Sequence, residues 1–196
     1  MSAERCQFSL VPDEDDLDDE SKNTVSFKVP LDPNDPDGIK SNVKAKKLTK
    51  TTAENVLAHE QEFEELKETL GVDDGPPTFR LFDSLLHSTL RRDWRTKKQE
   101  NLPDDANDEE NQDHFEATML DFVKLYVDED AALHTKEWLR TVKKPRSWRV
   151  HQMLARIQTI NDLIPFMPIP SGGEDPVPKF SDQELQVILQ NSGPKA

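Results

Sequence analysis

The chain has 196 residues and a net charge of −14, with 34% hydrophobic and 33% charged residues. This length suits one domain plus a tail, and the low hydrophobic share indicates that a sizeable fraction lies outside a packed core. The uncharged apolar stretches are far shorter than the roughly 18 residues needed to cross a bilayer, so we expect no membrane segment.

The charge is distributed unevenly along the chain. Residues 1–39 carry eleven acids and three bases, whereas residues 40–50 carry five lysines and no acid. Residues 99–116 carry eight acids and no Lys or Arg, and residues 140–149 carry five bases and no acid. The overall acidity argues against indiscriminate nucleic-acid binding and leaves only local basic patches for such contacts.

The first fifty residues predict a disordered acidic and basic tail. The block DEDDLDDE over 13–20 is typical of a solvated acidic segment, and LDPNDPDG over 31–38 has turn chemistry. Val25–Val29 alternates apolar and polar residues, which is compatible with a lone strand. The single cysteine, Cys6, fits a reducing compartment and a cytoplasmic location.

Helical periodicity begins at Thr51. Thr51 and Glu54 have capping-box spacing, an apolar stripe follows up to Leu70, and Gly71 suits the left-handed residue after a helix. Pro76 and Pro77 can open a second helix. The apolar stripe of this second helix comprises Phe79, Phe82, Leu85, Leu86 and Leu90 and extends to Trp94.

Four further helices are predicted after a loop over 102–112. Asp113 can cap the third helix, Asp130 the fourth and Ser147 the fifth, which ends at Pro165. A Pro- and Gly-rich loop leads to the sixth, where Ser181 and Glu184 again have capping-box spacing. We therefore predict an all-α fold: one domain of about six helices over 51–193, preceded by a disordered tail over 1–50.

No catalytic, cofactor or metal pattern is recognisable. His59 and Glu60 begin like a zinc-protease helix, but Phe63 stands where the second histidine is needed. The five histidines fall in separate segments and are interpreted as polar rim residues, and no carboxylate is expected to be buried. Phosphate-binding glycine loops and nucleophile elbows are also missing, so we expect a non-enzymatic protein without cofactor or small-molecule substrate.

Two basic segments are the candidate contacts for a nucleic acid or a protein partner. One includes Arg91, Arg92 and Arg95, and the other comprises Arg140, Lys143, Lys144, Arg146 and Arg149, with Trp148 available to stack on a base. The alternative, which we favour, is that such cations occupy the last turn of their own helix, opposite its negative dipole end.

The order of helices resembles the capsid region of Gag proteins from copia- and gypsy-type LTR retrotransposons. The best match is VHQMLARIQTINDLIP over 150–165, followed by DQELQVILQNSGP over 182–194. Weaker matches precede them: TTAENVLAHEQEFEEL over 51–66, LLHSTLRRDW over 85–94, FEATMLDFVKLYV over 115–127 and LHTKEWLRTVKKPR over 133–146. The cysteine-histidine zinc knuckle typical of Gag proteins is missing, since the chain has one cysteine.

The resemblance implies a structural protein that self-associates through weak, repeated helix surfaces and contacts RNA electrostatically through the two basic segments. Two alternatives stay open. One is a helical adaptor that binds a partner helix in a groove, with its acidic tail as a regulatory arm. The other is a domesticated or degenerate Gag remnant without assembly activity.

Overall fold

The structure is a computed structural model that describes residues 7–11, 23–30, 37, 39–101 and 108–193, without the side chains of 108–112. Helices dominate, as predicted, but the fold is not strictly all-α, because two strands pair in a small sheet. Within these residues the elements are β1 Thr24–Pro30, β2 Lys40–Lys46, α1 Ala53–Leu70, α2 Pro76–Ser84, α3 Ser88–Asn101, α4 Asp108–Val123, α5 Ala131–Thr141, α6 Val150–Leu163 and α7 Asp182–Ser192, with a 3-10 turn at Ile164–Phe166.

The two strands form an antiparallel hairpin. Phe27 lies opposite Val43, and pairing runs from Thr24 with Lys46 to Pro30 with Lys40. The predicted disorder of 1–50 is therefore wrong for both strands, since the expected lone strand finds a partner in the lysine-rich segment Lys40–Lys46. The acidic block 13–20 lies outside the described residues.

Contacts divide the chain into two compact units. The first, here called the sheet unit, comprises 14–51 and 59–122; the second, here called the C-terminal unit, comprises 1–13, 52–58 and 123–196. The hairpin thus groups with helical segments. The predicted division into a tail over 1–50 and one domain over 51–193 stays a prediction.

Aromatic rings form the core of the sheet unit. Trp94 is fully buried, with its ring 4.5 Å from that of Phe82, and Phe63 meets Phe82 edge-on at 4.9 Å. Phe79 meets Phe115 edge-on at 5.0 Å. Offset and edge-on arrangements of this kind add to the stabilisation from buried area. The apolar stripes predicted over 63–94 thus supply this core.

The predicted second helix is in fact two helices. The chain after β2 runs beside Leu85–His87, where the amide of Leu48 donates to the carbonyl of Leu85 (2.8 Å) and the amide of His87 donates to the carbonyl of Leu48 (3.0 Å). These backbone bonds replace helical ones, so α2 ends at Ser84 and α3 starts at Ser88. Periodicity alone gave no sign of the break because Leu85 and Leu86 remain buried.

The start of α4 also differs from the prediction. The helix begins at Asp108, so the predicted loop over 102–112 is wrong for 108–112, while 102–107 lie outside the described residues. Acidic residue types are favourable in the first turn of a helix, next to its positive dipole end. A helix can therefore extend into polar sequence beyond its packed face.

The C-terminal unit comprises α5, α6, α7, the start of α1 within 52–58 and the N-terminal segment. α6 buries Met153, Ile157 and Ile160 and ends in the 3-10 turn at Pro165, as the sequence predicted. Ser147 does not cap α6; Arg149 holds that position, and its amide donates to Oε1 of Gln152 (2.8 Å). Asp130 precedes α5 but makes no side-chain capping bond.

Candidate functional site

The connection from α6 to α7 is fixed by a buried side chain. Nδ2 of Asn161 donates to the carbonyl of Phe180 (3.0 Å), and the amide of Phe180 donates to Oδ1 of Asn161 (2.8 Å). The capping box at Ser181 forms as predicted, because the amide of Ser181 donates to Oε2 of Glu184 (2.8 Å) and the amide of Glu184 donates to Oγ of Ser181 (3.4 Å). Phe180 is thereby set immediately before α7.

A groove of about 450 Å³ lies along α7, and its lining includes one residue of α5. Its floor is apolar, since Phe180 and Ile188 are buried, while Val187 on its rim is 55% exposed. Polar groups flank this apolar centre. The full lining is Arg140, Phe180, Gln183, Glu184, Val187, Ile188 and Asn191.

Two cations lie against the Phe180 ring. Nζ of Lys136 is 4.3 Å from the ring centroid and donates to the carbonyl of Pro178 (2.7 Å), and the Arg140 guanidinium is 5.1 Å from the centroid. Burial lowers the pKa of Lys136, opposed by the charge of Glu184 and aided by that of Arg140. The bonds from Ser181 lower the pKa of Glu184, which keeps this carboxylate ionised.

The segment 140–149 mostly serves the fold. Nζ of Lys143 donates to the carbonyl of Asn191 (2.8 Å), and the amide of Lys144 donates to the carbonyl of Ser192 (3.0 Å). Both carbonyls belong to the last turn of α7, which needs such donors. Lys143 does lie at the C-terminal end of a helix, as the favoured interpretation expects, but that helix is α7, since α5 ends at Thr141.

The side chain of Lys144 stabilises the turn that leads into α6. Nζ of Lys144 donates to the carbonyls of Pro145 (3.1 Å) and Trp148 (2.7 Å), and Trp148 is half-buried. Arg146 and Arg149 are exposed, and within the described part of the chain no carboxylate forms an ion pair with either. These two arginines are the cations of this segment that a polyanion can reach.

The segment 91–98 belongs to the sheet unit and also has structural partners. Arg95 binds Asp83 through two bonds, from Nε (2.9 Å) and Nη2 (3.1 Å). Nε of Arg91 donates to the backbone carbonyl of Asp83 (2.9 Å). Arg92 is 78% exposed, 3.7 Å from Asp93. Arg91 and Arg95 therefore join α3 to α2 and do not serve the end of their own helix.

Two titratable groups contradict the sequence interpretation. His59 was expected at the rim but is buried beside Phe82, and burial lowers its pKa to about 4. Oε2 of Glu60 is buried without a hydrogen-bond partner in the described structure, and burial, then the charge of Glu64, raises its pKa to about 8. With these pKa values, His59 and the neighbouring Glu60 are both mainly uncharged at neutral pH.

Metal ligands are not brought together: no cluster of three or more His, Cys, Asp or Glu suitable for a metal occurs in the described residues. Of the helices in that part of the chain, none is both long enough and apolar enough to traverse a bilayer.

Two features were missed from the sequence. Arg156 is 7% exposed within the apolar face of α6, where Nη2 donates to Oε2 of Glu54 (2.7 Å) and Nη1 pairs with Oε1. The position of Arg156 in the sequence, directly before Ile157, does not indicate that its side chain is buried. Phe180 and Leu185, in contrast, have the spacing of a hydrophobic staple around the Ser181 cap, which was a usable signal.

Comparison with known proteins identifies no relative. No protein-family model matches the sequence, no curated protein matches it, and no solved structure matches the fold.

Proposed function

We propose that this chain is a Gag-like structural protein of retrotransposon type, an assembly protein of the cytoplasm and not an enzyme. The resemblance of residues 51–194 to Gag capsid regions supports the family, and the groove along α7 supports the activity. In this proposal the groove is where two copies of the chain meet.

The composition of the groove suits a second copy. Val187 offers an exposed apolar side chain above the buried Ile188, and burying such a contact between copies removes apolar surface from water. Arg140 and ionised Glu184 flank this centre with opposite charges. In a two-fold pairing, Arg140 of one copy can face Glu184 of the other, and the same contact is repeated in reverse. A surface that carries both signs therefore complements itself.

Contact with RNA is a secondary part of the proposal. Arg91, Arg95, Lys143 and Lys144 are held by protein acceptors, and Arg140 lies on the Phe180 ring. Arg146 and Arg149, and the exposed Arg92 beside Asp93, are left to meet phosphate, which supports weak, salt-sensitive contact only. The high acidity of the chain points the same way.

Substitution of Val187 tests the proposal. The Val187→Asp variant places a charge on the exposed apolar rim of the groove, and we expect light scattering to show a lower molar mass than wild type at the same high concentration. Val150→Asp is the matched control, because Val150 is 58% exposed in the same unit and outside the groove lining.

The outcomes separate the candidates. Loss of association in Val187→Asp but not in Val150→Asp supports the groove as the contact between copies. Equal association of both variants contradicts it. A wild type that is monomeric at every concentration removes self-association and favours the helical adaptor or the remnant without assembly activity.

A further inference from the structure

The N-terminal segment 7–11 is bound by the C-terminal unit through few but specific contacts. Phe8 is buried between exposed neighbours, with 6% of its surface accessible. Nε2 of Gln7 donates to the carbonyl of Tyr126 (3.2 Å), and its Oε1 accepts from the amide of Asp128 (3.0 Å). The side chain of Gln7 thus hydrogen-bonds to the backbone of the loop between α4 and α5.

The third anchor is the buried guanidinium of Arg156. Nε of Arg156 donates to the carbonyl of Ser9 (3.0 Å), and Nη2 donates to the same oxygen. The carboxylate of Glu54 accepts from both Nη1 and Nη2. The acceptor site for the segment is therefore built from residues over a hundred positions away in sequence, and it would be present without the segment because Glu54 keeps the guanidinium paired.

We propose that residues 7–11 exchange between copies, so that the segment of one chain binds the acceptor site of the next. The inference rests on the proposed self-association and names a second contact for it. Bound within its own chain or in a neighbour, the segment makes identical contacts, so exchange needs no new interface chemistry.

The length of the connecting chain permits this exchange. Twelve residue steps separate Val11 from Asn23, and an extended chain of that length spans about 40 Å. This exceeds the roughly 30 Å diameter of a small domain, so a segment bound to a neighbour can stay joined to its own chain. Each copy then both donates and accepts, and such head-to-tail contacts produce rings or open filaments.

Competition with the chain's own segment makes the exchange weak. A tethered segment has an effective concentration in the millimolar range for a short flexible connection. Exchange is therefore favoured only when copies are crowded to comparable concentrations. This agrees with association through weak, repeated contacts.

Thiol cross-linking distinguishes exchange from binding within one chain. Cys6 is the single cysteine and precedes Gln7, while Asp128 uses its backbone amide, so Asp128→Cys keeps the contact. Full-length wild type is mixed with full-length Cys6→Ser/Asp128→Cys at concentrations where sedimentation shows association, and a short bismaleimide is added. A peptide joining Cys6 to position 128 can then come only from two chains.

Three controls accompany the measurement of cross-link yield. Cys6→Ser/Glu174→Cys replaces the acceptor chain and measures random collision, since Glu174 is exposed in the same unit. Phe8→Ala in the donor chain removes the buried anchor. A single chain with Cys6 and Asp128→Cys, at low concentration, shows that the two thiols come within reach when the segment is bound.

We expect a several-fold higher yield of the intermolecular Cys6–128 peptide than with the Glu174 control, falling to the control level with Phe8→Ala. Association with only the control yield overturns the exchange and leaves the groove as the contact. Monomers at all concentrations without the intermolecular peptide overturn both the exchange and the proposed function.

Discussion

Asn161 and Phe180 hold each other through two hydrogen bonds across nineteen positions of the chain. The side-chain amide of Asn161 both donates to and accepts from the backbone of Phe180, and both residues are buried. This pair sets the end of α6 against the start of α7. It thereby places the Phe180 ring under Lys136 and Arg140 at the groove.

Asn161→Leu removes both bonds and leaves the buried amide and carbonyl of Phe180 without partners. We expect the free energy of unfolding to fall by about 3 kcal/mol, because each unsatisfied buried backbone group costs about 1–3 kcal/mol. Urea unfolding measures the change. Thr159→Ala on the exposed side of α6 is the control, and an equal loss in both variants would argue against a special role for the pair.

Glu54 and Arg156 form a second such relationship. Glu54→Ala leaves a largely buried guanidinium with the Ser9 carbonyl as its remaining acceptor, and we expect a loss of about 3 kcal/mol. Arg156→Met together with Glu54→Ala removes both charges and should recover part of that loss. A double-mutant cycle by urea unfolding measures the coupling, and additive effects of the two single changes would contradict it.

The stability of the chain should depend on Glu60 above pH 6.5. The pKa of Glu60 is raised from 4.5 to about 8, so between these values the native state keeps a proton that the unfolded state has lost, and stability falls as pH rises. The pKa of His59 is lowered from 6.5 to about 4, so its effect has the opposite sign but ends near pH 6.5. Of these two groups, Glu60 alone acts between pH 6.5 and 8.

Glu60→Gln should therefore flatten the decline in the free energy of unfolding between pH 6.5 and 8. Glu64→Gln should reduce the decline only in part, since the Glu64 charge is the smaller cause of the raised pKa. Glu62→Gln, at an exposed position of the same helix, is the control. An unchanged decline in Glu60→Gln, measured by urea unfolding at several pH values, would show that another group is responsible.

Substitution of Lys144 should lower the free energy of unfolding more than substitution of the exposed Arg146 and Arg149. Lys144→Met loses two bonds that hold the turn into α6, and we expect a cost of about 2 kcal/mol. Arg146→Gln with Arg149→Gln should change the free energy of unfolding by about 0.5 kcal/mol or less.

Binding to single-stranded RNA across a salt series checks the other half of that prediction. If both arginines meet phosphates, the double variant should lower the slope of log affinity against log salt by about 1.4. An unchanged slope would remove Arg146 and Arg149 as RNA contacts.

The parts of the fold that the sequence predicted depend on local signals. The capping box at Ser181 and the left-handed Gly71 after α1 are confirmed, since each needs only neighbouring residues. The Thr51 cap is wrong by one position: Thr52 accepts from the amide of Asn55 (3.4 Å), and Glu54 is taken by Arg156. Glu54 thus pairs with Arg156, which is distant in sequence, instead of completing the predicted local capping box with Thr51.

The parts that were missed depend on contacts distant in sequence. The hairpin partner of β1, the pairing of Leu48 with Leu86 and the binding of Phe8 all join segments that carry no shared pattern. Of the candidate cations, the sequence could not separate Lys144, which holds a turn, from Arg146, which is exposed. Charge identifies such residues, but only packing decides which of them remain accessible.

Sedimentation velocity of the full chain, from micromolar to millimolar concentration at moderate salt, tests self-association most directly. The proposal predicts association that increases with concentration: the two-fold groove contact alone gives dimers, and the exchanged segment adds growth into larger, regular species. A sharp monomer boundary at every concentration would contradict it.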